Sequence, residues 1–177
     1  MKCVANTGEV LPDQSVVAGL CQETGRILIV SHQDLNEERA WKPTLRDLFF
    51  IAGGSQTQWQ DTIIDSLSHG THDGLWRLPT LKEGAFMIAH KNDIGADIAN
   101  PDKHEHPRYW TSYGHFSIGA ARDFADGKIQ VLRDFELSAA RLVRLVTPAQ
   151  YEAIKYAPPA QTPDNVIPLF AADRAMA

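Results

Sequence analysis

The chain reads W-R-L-P-T-L-K-E from Trp76 to Glu83, and this stretch decides the fold more than any other. It predicts the start of a helix, because Thr80 and Glu83 stand at the spacing of a capping box, in which each side chain binds the other residue's backbone N–H. Pro79 fixes the backbone just before the first turn. Trp76 provides a large apolar surface for a core beside the helix. We therefore expect these residues, and Trp110 downstream, to hold the fold rather than to touch a ligand.

Strands are predicted on both sides of this helix. Residues 15–31 alternate around a Gly-containing turn and predict a hairpin. Residues 109–118 predict one strand, in which Trp110, Gly114, Phe116 and Ile118 face one way and Thr111, Tyr113, His115 and Ser117 face the other. The pair Asp126-Gly127 predicts a tight hairpin turn, and residues 141–146 predict a last strand.

Further helices are predicted where polar capping residues precede apolar stripes. Thr44 begins one that ends at Gly53-Gly54, Ser55 begins a second that ends near Gly70, and Thr147-Pro148 begins a third. Between the predicted helix at 80–89 and the strand at 109–118, residues 91–108 are polar and predict a long loop. Loops of that length in a compact domain often carry function.

In this order, the motifs resemble a family of bacterial and phage domains with a C-type-lectin-like fold, of the type found at the C-terminus of a collagen-like adhesin. The family pattern W-R-L-P-T-x-x-E, Y-W-[ST]-S, F-x-x-G and V-R-C-V-R is similar to Trp76–Glu83, Tyr109–Ser112, Phe124–Gly127 and Val143–Val146. More distantly, the order is similar to formylglycine-generating enzymes. Two departures stand out: Gly84 replaces the Leu that usually follows the Glu, and Leu145 stands where Cys is common.

The resemblance implies an α+β fold with short helices and a small, twisted, mainly antiparallel sheet. It covers roughly residues 15–146. We therefore expect a single lectin-like domain over residues 1–146, followed by a C-terminal helix and a Pro-rich extended tail over residues 147–177.

Composition narrows the function classes. The 177 residues carry 17 Lys and Arg against 22 Asp and Glu, a net charge of -5, which argues against a nucleic-acid binder. No apolar run approaches the roughly 18 residues that span a membrane, and no signal peptide is visible at the N-terminus. A cytoplasmic or virion-associated protein is expected. Cys3 and Cys21 are more readily explained as thiols than as a disulfide.

The first functional hypothesis is a non-enzymatic recognition module. In lectin-like domains of this kind, ligands bind at loops and at an exposed face of the terminal sheet, which here implies the 93–108 loop and the outward side of the 109–118 strand. A protein partner is favoured over a glycan, because few Trp or Tyr residues are expected to be exposed for sugar stacking; a glycan-binding phage or surface adhesin is an alternative. The candidate ligand-binding residues are Asn92, Asp93, Asn100, His104, His106, Arg108, Tyr113, His115 and Ser117.

The second hypothesis is a His-dependent, metal-assisted hydrolase or phosphoesterase, since six of the seven histidines lie between His69 and His115. Zinc at these histidines and calcium at the acidic 93–105 loop are both conceivable, but neither spacing matches a strong metal motif, and no cofactor is predicted. Formylglycine chemistry is excluded, because it depends on cysteines in the C-terminal part of the domain and the chain has none after Cys21. A third hypothesis is a virion component that forms homo-oligomers through its C-terminal tail.

Overall fold

The computed structural model describes residues 5–21, 24–31, 39–41, 76–94, 108–115, 118–133 and 135–158. Within these ranges the chain forms eight β-strands and two α-helices, so the fold is α+β, as the sequence predicts. None of the helices in these ranges is long and apolar enough to cross a membrane. In chain order the elements are β1 Val16–Cys21, β2 Arg26–Val30, β3 Arg39–Ala40, α1 Leu81–Ala89, β4 Arg108–His115, β5 Ile118–Asp123, β6 Ile129–Arg133, β7 Leu137–Ser138, β8 Val143–Val146 and α2 Pro148–Lys155.

The first sheet has the strand order β1-β2-β8 and is antiparallel throughout. The hairpin predicted at residues 15–31 is confirmed as β1 and β2, and the predicted last strand is confirmed as β8. The central strand β2 is apolar and buried at each position from Ile27 to Val30, because both faces of this sheet are covered. One face packs against α2, and the other packs against α1 and β4.

The second sheet has the order β4-β5-β6 and corrects one prediction. Residues 109–118 are not a single strand: β4 ends at His115, which pairs with Ile118 at the start of β5. Ile118 was expected to face the same way as Trp110 and Gly114. It pairs with His115 and is 44% exposed, and its neighbour Gly119 faces Trp41 with Gly114, so Ile118 lies on the opposite side of the sheet. Thr111 was expected to face outward. It is buried, and its hydroxyl donates to the Ala120 carbonyl at 2.7 Å within an irregular part of the ladder.

Trp41 packs against the inner side of this second sheet. It follows the short strand β3, which pairs with β7, and its indole N–H donates to the Thr111 carbonyl at 2.8 Å. Gly114 and Gly119 are paired across β4 and β5, and a Cβ atom at either would lie 2.3 to 2.5 Å from Trp41 ring atoms. Glycine is required at both positions because the indole occupies the space of their side chains.

Both predicted helix starts that fall in the described ranges are confirmed. Thr80 caps α1 and Thr147 caps α2, each with a complete capping box. Helix α2 packs against β2 and β8 through Tyr151, which is fully buried. The core therefore includes the first part of the segment that the sequence assigns to a C-terminal extension.

Several predictions fall outside the described residues: the helices expected at 44–53 and 55–70, most of the 91–108 loop, Cys3 and the tail beyond residue 158. Of the loop, residues up to Ile94 are described, and Ile94 is completely buried in the core cluster that contains Met87 and Tyr109. Cys21 is a free, half-buried cysteine at the end of β1.

Candidate recognition surface

The W-R-L-P-T-L-K-E motif is held in place by an ion pair. The Arg77 guanidinium donates to both oxygens of Glu83, each at 2.7 Å, and Glu83 also accepts the backbone N–H of Thr80 at 2.8 Å. Burial raises the pKa of the Glu83 carboxyl, but the hydrogen bonds and charge of Arg77 outweigh this and leave that pKa below its ordinary value. The carboxylate therefore stays ionised, and both of its oxygens accept hydrogen bonds from within the fold.

The same motif joins the two large sheets. The backbone of Arg77 exchanges two hydrogen bonds with Val143 in β8, at 2.8 and 2.9 Å, and the Pro79 carbonyl accepts the N–H of Ser112 in β4. Leu78 is completely buried between these two anchors. Trp76 is half-buried and lies 4.5 Å from the Arg144 guanidinium, in a cation–π contact. These residues have a structural role, and little of the motif remains exposed to a ligand.

Gly84 is explained by its neighbours on the second sheet. It is buried in the middle of α1, and a Cβ atom there would meet Arg122 Cδ at 3.5 Å and Thr111 Cγ2 at 3.9 Å. A Leu at this position would have to displace the Arg122 side chain. The close approach of α1 to β4 and β5 therefore accounts for the Gly.

The candidate residues Asn92 and Asp93 lie just after α1. Both are exposed, and Asp93 Oδ2 is 3.5 Å from His90 Nδ1. The Asp93 carbonyl also lies against Gly8 of the N-terminal segment, where a Cβ atom would be 3.0 Å from it. This part of the predicted ligand surface is thus a turn that packs on the N-terminal segment.

Arg108 has a structural role at the start of β4. Its guanidinium donates to Gln130 Oε1 at 3.3 Å and to the Leu137 carbonyl at 3.2 Å, which ties β4 to β6 and β7. Tyr113 and His115 lie at the other end of the same strand, roughly 15 Å away for an extended chain. The structure does not bring Arg108 together with Tyr113, although the sequence assigns both to one site.

The remaining candidates, Asn100, His104, His106 and Ser117, lie outside the described residues, as do His69 and His72 of the histidine cluster. Among the side chains that the structure describes, no three His, Cys, Asp or Glu groups converge to hold a metal ion. The His90 ring packs against Phe86, with ring centroids 4.6 Å apart and the ring planes tilted by 42°.

Tyr151, Glu9 and Lys155 form a polar cluster whose groups could in principle do chemistry. The Tyr151 hydroxyl donates to Glu9 Oε2 at 2.6 Å, and the Lys155 ammonium lies 2.8 Å from Glu9 Oε1. Burial and the adjacent Glu9 carboxylate raise the pKa of Tyr151 to about 12, so it is not a base at neutral pH. The cluster fastens α2 to the N-terminal segment.

Several exposed apolar side chains lie together on the second sheet. Gly114 and Gly119 face Trp41, so their neighbours Tyr113, Ile118 and Ala120 point to the opposite side, as do the positions that pair with them in β6. We call this side the outward face; it comprises Tyr113, Ile118, Ala120, Arg122, Ile129, Val131 and Arg133. Four of these residues are exposed, at 62% for Tyr113, 44% for Ile118, 49% for Ile129 and 66% for Val131.

Two arginines flank the apolar part of the outward face. Arg122 donates to the Gly127 carbonyl at 2.8 Å and lies under α1, and Arg133 lies 5.9 Å from the ring of Phe135, itself 67% exposed. The sequence indicated the Tyr113 part of this face but missed Ile129 and Val131. In a strand over residues 128–132, Ile129 and Val131 lie on one face and Leu132 lies on the other. Because both faces carry apolar residues, the sequence pattern does not show which face is buried.

No protein-family model matches the chain, and no curated protein sequence matches it.

Proposed function

We propose that the protein is a recognition module that binds a protein partner through the outward face of its second sheet. The observation that carries this proposal is the contrast between the two sides of that sheet. The inner side is filled by Trp41 and by Leu78 and Trp110 of the motifs, whereas Tyr113, Ile118, Ile129 and Val131 are between 44% and 66% exposed on the other side. Neighbouring exposed apolar residues of this kind mark interaction sites more often than scattered single ones do.

The chemistry of the outward face favours a protein over other ligands. Exposed aliphatic side chains, one tyrosine and flanking arginines are the composition of a protein–protein interface, in which aromatic and Arg residues contribute most of the affinity. Sugar recognition would call for several exposed aromatic rings, and this face offers Tyr113. The net charge of -5 does not favour nucleic acid.

The rigidity of the sheet supports the same function. Tyr113 lies in β4 and Ile118 lies in β5, and the two strands pair with each other. The Trp41 indole packs against one side of these strands, and α1 packs against the other side near Arg122. Side chains held on a packed sheet lose little conformational entropy on binding, which favours affinity.

A C-type-lectin-like origin is part of the proposal. Its support is that the residues carrying the family pattern occupy structural positions: Thr80 and Glu83 cap α1, Trp110 is buried, and Val143 pairs with Arg77. A lectin-like scaffold of this type would leave recognition to loops and to one face of the sheet. The 93–108 loop remains a candidate second part of the binding surface.

The test compares two variants in a capture experiment from lysate of the source cells. In one variant, Tyr113→Ala is combined with Ile118→Ser; in the matched control, Tyr156→Ala removes a tyrosine that is 75% exposed at the C-terminal cap of α2. A protein captured by the wild type and by the control, but lost with the double variant, is then purified and its dissociation constant measured. We expect at least about a tenfold weaker constant for the double variant, since central aromatic contacts carry most of the affinity. Equal binding of the purified partner by all three proteins would disprove the outward face as the site.

A further inference from the structure

Strand β6 forms an edge of the second sheet. Within the described residues it pairs with β5 on one side, and no strand pairs with its other side. The Asp123 N–H donates to the Lys128 carbonyl, which fixes the phase of the ladder: residues 128, 130 and 132 direct their backbone groups toward β5. Residues 129, 131 and 133 therefore direct theirs toward the free edge.

In the part of the chain that the structure describes, four backbone groups at the free edge have no partner. The Arg133 N–H already donates to Glu136 Oε2 at 2.7 Å, and its carbonyl accepts the Glu136 N–H at 3.0 Å. The N–H and C=O groups of Ile129 and Val131 remain. Natural edge strands are usually protected by Pro, by a bulge or by a charged side chain in the middle of the strand. β6 has none of these between Ile129 and Val131.

We propose that β6 pairs with β6 of a second copy of the chain, antiparallel and centred on Gln130, so that two second sheets join into one continuous sheet. This register places Ile129 opposite Val131 of the partner, and the reverse. All four free backbone groups of each copy are then satisfied, and the Arg133 groups used by Glu136 are not required. A register centred on Val131 would need those occupied groups, and one centred on Ile129 would pair Val131 with the Asp126–Gly127 turn.

Side chains and charges also fit this register. Ile129 and Val131 lie on the outward face, so each cross-strand pair places an aliphatic side chain beside another and extends the apolar surface across the two-fold axis. Arg133 falls opposite Gly127 of the second copy, next to Asp126, whose carboxylate also lies 2.7 Å from Lys128 Nζ of its own chain. The contact is isologous, as most homodimer interfaces are.

Self-pairing goes beyond the proposed partner binding and does not depend on it. It involves Ile129 and Val131, whereas the capture experiment changes Tyr113 and Ile118. A variant that loses self-association but keeps partner binding, or the reverse, would separate the two proposals.

The test measures self-association of the purified full chain by sedimentation equilibrium over a dilution series. The wild type is expected to dissociate from dimer to monomer on dilution. Val131→Lys places a charge at the pairing edge, and Val131→Pro removes an N–H that β5 does not use, so both should keep the fold. Each is expected to weaken the dimer at least about tenfold, whereas Val10→Lys, at a valine that is 58% exposed beside the first sheet, leaves it unchanged.

Cysteine cross-linking tests the register. Gln130 would face its own copy in a non-hydrogen-bonded pair, with Cα atoms about 4.5 Å apart, so Gln130→Cys is expected to form an interchain disulfide under mild oxidation. The two copies of position 129 would be displaced along the strands, with their Cα atoms more than about 7 Å apart, so Ile129→Cys is not expected to form an interchain disulfide. A wild type that is monomeric at every concentration, or Val131 variants that dimerise as the wild type does, would overturn the proposal. Cross-linking through Ile129→Cys with none through Gln130→Cys would overturn the register.

Discussion

At the scale of single residues, the Glu83 carboxylate has contacts that can be tested one by one. It accepts two hydrogen bonds from Arg77 and one from the Thr80 backbone, and it opposes a guanidinium that is only 4% exposed. Removing the negative charge would leave a buried cation without its counter-ion. The cost of an uncompensated buried charge exceeds the net contribution of the pair itself.

We predict that Glu83→Gln lowers the free energy of unfolding by about 2–3 kcal/mol at neutral pH, because the amide keeps the shape and one cap contact but loses the charge. Urea denaturation followed by circular dichroism would measure this. Glu152→Gln, a half-exposed carboxylate on α2, serves as the control and should change stability by less than about 0.5 kcal/mol.

The same pair predicts a pH dependence. The folded-state pKa of Glu83 lies below its ordinary value of 4.5, so its contribution to stability is present above pH 4.5 and is lost as the pH falls through the folded-state pKa. The free energies of unfolding of the wild type and of Glu83→Gln should therefore become more similar as the pH is lowered into the acid range. A difference that stays constant from neutral pH into acid would show that the charge of Glu83 is not its source.

At the scale of elements, Tyr151 attaches α2 to the first sheet through its ring and to the N-terminal segment through its hydroxyl. The Tyr151 ring is buried with Leu11, Ile27 and Ile29, and its hydroxyl reaches Glu9. Desolvation acts to raise the pKa of Glu9, but the hydrogen bonds from Lys155 and Tyr151 lower it overall, so the carboxylate is ionised and accepts from both. Substitutions at Tyr151 can therefore measure separately what the ring and the hydroxyl contribute to stability.

We predict that Tyr151→Ala destabilises the protein by about 3–5 kcal/mol, since a fully buried aromatic ring is removed. Tyr151→Phe should cost only about 1–2 kcal/mol, because it deletes the two partly solvated hydrogen bonds of the hydroxyl, to Glu9 and from Lys155. Thermal and urea unfolding would distinguish the two, with Tyr156→Phe at an exposed position as the control. A larger loss for Tyr151→Phe than for Tyr151→Ala would contradict the view that the ring carries this contact.

Local elements were the part of the fold that the sequence could predict. The capping boxes at Thr80 and Thr147 depend on residues three apart, and the turn at Asp126-Gly127 depends on adjacent ones, so a short stretch contains the whole signal. The reversal between His115 and Ile118 was missed for the converse reason. The glycines on either side of it, Gly114 and Gly119, face Trp41, some seventy positions earlier, and no local pattern reveals that contact.

At the scale of the whole molecule, the candidate site was predicted only in part, and distance along the chain again explains why. Tyr113 was identified because strand alternation alone places it on an outward side. Arg108 was grouped with it although its guanidinium is engaged by Gln130 and Leu137, contacts that no local pattern reveals. Val131 was missed because its exposure depends on which face of β6 the core covers.

Leu78 offers a test of how the two large sheets are coupled. It lies between the Arg77 backbone pair with β8 and the Pro79 carbonyl bond to β4, and it packs in the cluster that contains Trp41 and Trp110. A cavity there would loosen the junction of both sheets rather than one of them. Cores are densely packed, so such a strain is transmitted to neighbouring elements.

We predict that Leu78→Ala lowers the free energy of unfolding by about 2–4 kcal/mol and accelerates amide hydrogen exchange in β2 and β5 together, because both strands open in the same cooperative unit. Hydrogen exchange followed by mass spectrometry or NMR would resolve the two strands, with Leu20→Ala, at a residue 51% exposed in β1, as the control. Faster exchange confined to β5 would mean that the sheets unfold independently. In that case the W-R-L-P-T-L-K-E stretch would support the second sheet alone, and its backbone bonds to β8 would add little to the stability of the first.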